Sequence, residues 1–93
     1  MATVIIPTPL RKFTGNSAKI NVSGNDVSEI IANLVHQYPD VQKHLLDPSG
    51  SVRSFINVFV DEDDIRNLQY NHTHVETRSV ISIVPAIAGG NLI

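Results

Sequence analysis

Asp26-Val27-Ser28-Glu29-Ile30-Ile31-Ala32-Asn33-Leu34-Val35-His36-Gln37-Tyr38 carries the clearest periodicity in the chain. Val27, Ile30, Ile31, Leu34, Val35 and Tyr38 recur at i, i+3, i+4, i+7, i+8 and i+11, which is one face of an α-helix. Asp26 followed three residues later by Glu29 is the acidic form of a capping box, so the helix starts there. Gly24-Asn25 breaks whatever precedes it, and Pro39 stops the helix at its other end. Beyond Pro39, Asp40 to Leu46 has room for a short second helix with Val41, Leu45 and Leu46 turned inward.

On the N-terminal side, Ala2 to Ile6 is apolar and β-branched and is stopped by Pro7 and Pro9, which predicts a first strand. Thr8 to Gly15 is a turn-rich connection holding Arg11 and Lys12. Lys19-Ile20-Asn21-Val22-Ser23 alternates polar and apolar, as a second strand paired with the first does. On the C-terminal side, Asp47-Pro48-Ser49-Gly50-Ser51 reads as a loop and Phe55-Ile56-Asn57-Val58-Phe59-Val60 as a strand. Phe55, Val58 and Phe59 cannot all share one side of that strand, so one of its sides is exposed or covered by a partner; the core is the default place for Phe, and a hydrophobic docking patch is the functional alternative. Asp61-Glu62-Asp63-Asp64 turns the chain. Ile65 to Val75 is polar and irregular, with Leu68, Tyr70 and Val75 as its expected anchors. Val80-Ile81-Ser82-Ile83-Val84 is a last strand ended by Pro85.

Hairpin, helix, strand, irregular segment, strand describes a two-layer α+β domain. A helical crossover after the hairpin suits parallel pairing of the first and last strands in the sheet centre. The expected architecture is therefore a β-grasp, a mixed sheet packed on one main helix. Residues 1–88 form the domain and residues 89–93 a flexible C-terminal tail. No internal repeat or linker interrupts it.

Composition bounds the function. A chain of 93 residues is one small domain with a modest core. The net charge of −2 and the absence of Trp give no footprint for nucleic acid. Without cysteine, thiolate metal sites, disulfides and Cys nucleophiles are excluded, and a cytoplasmic setting is compatible. The longest apolar runs, Val4-Ile5-Ile6 and Ala86-Ile87-Ala88, are far too short for a membrane span. Met1-Ala2-Thr3-Val4 shows no basic segment leading into an apolar stretch, so no secretory signal is expected.

Val80-Ile81-Ser82-Ile83-Val84-Pro85-Ala86-Ile87-Ala88-Gly89-Gly90 resembles the last strand and tail of the ubiquitin-like sulfur carriers. The resemblance runs from Val4 to Gly90. Pro7-Thr8-Pro9-Leu10-Arg11-Lys12-Phe13-Thr14-Gly15, the segment Phe55 to Arg66 and the loop at Asp47-Pro48 look most like the branch that feeds cysteine synthesis. Molybdopterin and thiamine thiazole are the family's other sulfur destinations. Two features depart from the family pattern. Arg78-Ser79 stands where a Gly-Asp turn is usual, and Asn91-Leu92-Ile93 follow the Gly-Gly.

The resemblance implies a carrier acted on by other enzymes, with no bound cofactor. The Gly90 carboxylate, exposed once residues 91–93 are removed by a peptidase, would be adenylated by a ubiquitin-activating-type adenylyltransferase that uses ATP. A sulfur donor enzyme would then displace AMP, leaving a thiocarboxylate for a sulfur-accepting biosynthetic enzyme. Gly89 and Ala88 would thread a narrow channel, since glycine lacks Cβ and lets backbone approach backbone. Arg11, Phe59 and Ile87 are the expected docking residues.

Other candidates have simpler readings. His72-Thr73-His74 places two imidazoles on one side if extended, a candidate metal pair, but no third ligand lies nearby in sequence, and a solvated loop is the simpler reading. His36 and His44 are expected at the surface. Asp61 to Asp64 lacks the calcium-loop pattern and reads as a charged turn. Arg11, Lys12 and Lys19 would also serve to blunt an edge strand. No nucleophile, base and orienting group are clustered in sequence, which disfavours an enzyme. A protein modifier conjugated through Gly90 and a non-catalytic β-grasp interaction module remain open beside the carrier.

Overall fold

Asp26 accepts a hydrogen bond at Oδ1 from the Glu29 N–H (2.9 Å), and Glu29 Oε1 accepts one from the Asn25 N–H (2.8 Å). This reciprocal cap starts helix α1, Val27–Gln37, in the computed structural model, which describes residues 1–85 apart from the side chain of Asn71. Residues 86–93, with the expected tail boundary, lie outside the described residues. Val27, Ile30, Ile31 and Leu34 are buried and Val35 and Tyr38 half-buried, so the helical stripe read from the sequence faces the sheet.

The sheet contains β1 (Ala2–Ile5), β2 (Lys19–Val22), β3 (Ile56–Val60), β4 (Asp63–Asp64) and β5 (Val80–Pro85). The spatial order is β2-β1-β5-β3-β4. β1 and β5 are parallel, with Val4 beside Ile81 and Ile5 beside Ser82, and the other pairs are antiparallel. Alternate residues Ala2, Val4, Ile20, Val22, Ile56, Val58, Val60, Ile81 and Ile83 face α1 and form the core with it. This is the expected β-grasp.

The connections depart from the local reading. Pro7-Thr8-Pro9 opens a 3-10 helix, Thr8–Phe13, rather than a plain turn. Pro is compatible there because the first turn of a helix leaves its N–H groups unpaired anyway. Thr14 closes this segment fully buried, its hydroxyl within 3.1 Å of the carbonyls of Arg11 and Ser17. The short helix α2 covers Gln42–Leu45 and buries Leu45, while Val41 just before it is also buried. Asp61 and Glu62 make the acidic turn, but Asp63 and Asp64 run back along β3 as β4.

Between Ile65 and Val75 the anchors differ from those expected. Ile65 and Val75 are buried, whereas Leu68 and Tyr70 are 42% and 58% exposed. Two 3-10 turns carry this segment, and Tyr70 adopts a positive φ of 53°. The turn before β5, at Arg78-Ser79, is built on a serine. Ser79 Oγ accepts from the Glu76 N–H and the Ser79 N–H donates to the Glu76 carbonyl, both at 3.0 Å. The Ser79 carbonyl then accepts from Thr3, which joins the turn to β1.

Candidate functional site: the outer sheet face and the root of the tail

β5 ends at Pro85, opposite Ile56, so the chain leaves the sheet centre beside the start of β3 and the end of β1. On the face away from α1, Lys19, Ile5, Ser82, Phe59 and Asp64 lie side by side, one from each strand. Phe59 and Ile5 are half-buried, and Val84, adjacent to Asn57, is 42% exposed. Phe55, just before β3, is 50% exposed. An apolar strip thus runs to the point where the tail departs.

Arg66 fixes one side of this face. Its Nε and Nη2 donate to Asp64 Oδ1 and Oδ2 at 3.2 and 2.9 Å, and Nη2 also donates to Asn57 Oδ1. Hydrogen bonding from Arg66 holds the Asp64 carboxyl below the usual aspartate range, and the carboxylate holds the guanidinium's pKa up. The ion pair leaves Arg66 pre-oriented at the rim rather than free to sweep it.

Of the sequence-predicted site residues, Phe59 lies on the outer face as the β3 alternation requires. Arg11 is half-buried and donates from Nε to the Ile6 carbonyl (3.0 Å), tying the first 3-10 helix to the end of β1. Its edge-blunting role is not realised, since it sits off the edge strand. Lys19, on the edge strand β2, does occupy that position. Ile87, Ala88, Gly89 and Gly90 lie outside the described residues. Ile5 and Val84 were not singled out from sequence, although counting in twos from Val4 and Ile81 assigns both to the outer face.

His36 is exposed as expected, and His72 and His74 are exposed as in a solvated loop, whereas the candidate metal pair and the surface placement of His44 do not hold. His72 ends a 3-10 turn, so residues 72–74 are not one extended run. His72 lines a hollow of about 480 Å³ with Arg53, Arg66 and Tyr70, while His74 lines another of about 440 Å³ with Asp61, Glu76 and Arg78. The two imidazoles serve different surfaces. Among the described residues no three His, Asp or Glu side chains converge on a metal-sized point. His44 is half-buried rather than on the surface, and its ring stacks on Phe13. Among the described residues no helix is long and apolar enough to cross a membrane.

A mixed five-stranded sheet with a central parallel pair, one amphipathic helix across it and a Gly-Gly beyond the last strand defines a ubiquitin-like β-grasp protein. More closely, the chain belongs to the ThiS family, whose model matches residues 4–90. It is 34% identical over 90 residues to the sulfur carrier protein CysO of Mycobacterium tuberculosis, an alignment covering 95% of this chain and 97% of CysO. Its structure superposes on CysO in the Amycolatopsis orientalis BexX/CysO complex with a TM-score of 0.89 and 32% identity, covering 97% of this chain and all (100%) of the other. For crystalline M. tuberculosis CysO the TM-score is 0.86 at 31% identity, over 94% of this chain and 100% of CysO. The small archaeal modifier protein 1 of Methanosarcina acetivorans has the same fold, with a TM-score of 0.82 at 23% identity over 96% of this chain and 95% of that one.

Proposed function

We propose that this chain is a cytoplasmic sulfur carrier whose working group is the carboxylate of Gly90. The observation that carries the reading is that the family match ends on Gly90, the second residue of the Gly-Gly, while a relative aligned over nearly its full length is named a sulfur carrier. On this reading the chain is acted on, and its partner enzymes supply the catalysis. An adenylyltransferase joins the Gly90 carboxylate to the AMP moiety of ATP and releases pyrophosphate. Sulfur delivered by the donor as sulfide attacks the acyl carbon, the C–O bond to AMP breaks, AMP leaves, and loss of the sulfur's proton leaves a thiocarboxylate. Gly89 and Gly90 suit this because a side chain there would crowd the acyl carbon. Cysteine biosynthesis is the first choice of destination, on the similarity to CysO, with molybdopterin and thiamine thiazole next.

Asn91 follows Gly90 through a peptide bond, so the carboxylate exists only after a peptidase cuts there. The adenylyltransferase docks on the outer face around Ile5, Phe59 and Val84 and draws in the tail through Ile87, Ala88 and Gly89. A tail alone offers little contact area, whereas specific complexes bury more than about 1,000 Å². A modifier conjugated through Gly90 would share the activation step and would be marked by high-molecular-weight conjugates in the native host.

Two forms test the reading, one ending at Gly90 and one at Ile93. With the host's activating enzyme, only the form ending at Gly90 supports ATP–pyrophosphate exchange and then accepts sulfur. Equal activity of both, with the longer form keeping its full mass, contradicts the processing step. No exchange with either contradicts the carrier.

A further inference from the structure

The charges of this chain are sorted along the strands. At the end where β5 closes with Pro85, Arg11 and Lys12 lie on the 3-10 helix that follows β1. Phe13 of that helix stacks on His44 of α2. Lys43 therefore stands close by, and Arg53 donates to the Lys43 carbonyl from Nε at 2.9 Å. Among the described residues, Asp40 and Asp47 are the acids at this end, and Asp47 keeps its charge while accepting from the N–H groups of Ser49 and Ser51 and the Ser49 hydroxyl, so Arg11, Lys12, Lys43 and Arg53 still outnumber them. At the opposite end stand Asp61 and Glu62 of the β3–β4 turn, Asp63 at the start of β4, Glu76 before β5, and Asp26 and Glu29 at the start of α1. Asp26 and His74 form an isolated antiparallel backbone bridge, and His74, Asp61, Glu76 and Arg78 line one hollow, so these elements meet there. Arg78 is the cation among those acids. Lys19, Asp64 and Arg66 lie between the ends.

We propose that this asymmetry is an orienting device, and that the cationic end around the tail root docks on an acidic rim surrounding the partner's channel. The proposal rests on the carrier reading above and adds the chemistry of the partner surface. The net charge of −2 repels the chain from an acidic surface in most orientations. Approach with the tail foremost reverses the sign, because Lys12, Lys43 and Arg53 then face the rim while the acidic end points away. The molecule measures 34 × 29 × 25 Å, several times the Debye length of about 8 Å at physiological ionic strength, so the near end dominates at contact. Orientation is then selected during encounter, which raises the association rate more than the final affinity. Only tail-first encounters are productive, since the reacting carboxylate is at Gly90.

The test uses the form ending at Gly90 and the host's activating enzyme, with pyrophosphate exchange as the readout. Lys12→Glu/Lys43→Glu reverses exposed charges at the tail end, and Glu62→Lys/Asp63→Lys does so at the far end. The first pair is expected to lower kcat/KM roughly tenfold or more at about 0.05 M salt with kcat unchanged, and the loss should vanish near about 0.5 M. The second pair is expected to leave kcat/KM within about twofold. Neutral Lys12→Gln/Lys43→Gln should give an intermediate loss, separating charge from misfolding. Equal effects at both ends, or a loss insensitive to salt, would overturn the orienting role while leaving the carrier intact. Absence of exchange with the unaltered protein would overturn both.

Discussion

The imidazole of His44 lies on the ring of Phe13, with centroids 4.1 Å apart and planes inclined by 21°. This stack joins the segment after β1 to α2, and it leaves His44 Nε2 buried with no hydrogen-bond partner among the described residues. A buried polar atom without a partner costs about 1–3 kcal/mol, while ring stacking contributes about 0.5–1.5 kcal/mol. His44→Phe keeps the stack and removes the orphan atom. It should raise urea stability by about 1 kcal/mol, and His44→Ala should lower it by about 1 kcal/mol. A destabilised Phe variant would mean that Nε2 is satisfied in solution.

Gly24 sits where the chain leaves β2 and enters the α1 cap. A Cβ there would lie 2.9 Å from the Ile30 backbone nitrogen and 3.0 Å from Ile30 Cδ1. The nitrogen belongs to the helix and cannot rotate away. Gly24→Ala should therefore cost about 1–3 kcal/mol by overpacking, measured by chemical denaturation. Ile31→Ala, which hollows the same interface from a buried position, should cost about 2–4 kcal/mol. A neutral Gly24→Ala would show that the β2–α1 connection shifts freely.

Two carboxylates set the acid behaviour. The Ser49 hydroxyl and then the Ser51 N–H hold Asp47 below the usual aspartate range, as the Arg66 side chain does Asp64. Each folded-state pKa is below the unfolded value of about 3.9, so the contribution is complete above that value. It is lost as pH falls through the folded value. The contribution of these two groups should be constant above about pH 5 and fall below about pH 4, so Asp47→Asn/Asp64→Asn should decline less steeply in acid. Both sites face solvent, so the difference should be small. Identical acid limbs for the two proteins would contradict the assignment, and carboxyl NMR titration reads each group separately.

On the outer face, Phe59→Ser should weaken docking of the activating enzyme at least tenfold by raising KM while costing no more than about 1–2 kcal/mol of stability. Phe59 is half-buried and its neighbours across the strands are Ser82 and Asp64, so the core is spared. Unchanged KM would move the docking surface elsewhere.

What was legible in the sequence divides by the range of the interaction. α1 could be read because its stripe and the Asp26–Glu29 cap are local. The central strands could be read because β-branched runs bounded by Pro and Gly leave few alternatives. β4 has two residues, too few for any period, and its acidic composition reads as turn. Of the expected anchors Val75 is buried, but Leu68 and Tyr70 are exposed, and the 3-10 turn at Ile65–Asn67 buries Ile65 in their place. The Phe13–His44 stack joins residues far apart in sequence, so nothing local announces it. In the site, the Gly-Gly was visible as a motif, and Phe59 followed from strand alternation. The Arg66–Asp64–Asn57 network depends on β4 folding back onto β3 and had no sequence signal.

Intact mass of the protein purified from its native host bears on both steps of the proposed chemistry. The carrier reading predicts a chain ending at Gly90, with a fraction heavier by the exchange of one oxygen for sulfur and returning to the oxygen form on hydrolysis. A chain that still carries Asn91-Leu92-Ile93, with no sulfur-substituted species at any growth stage, would contradict it.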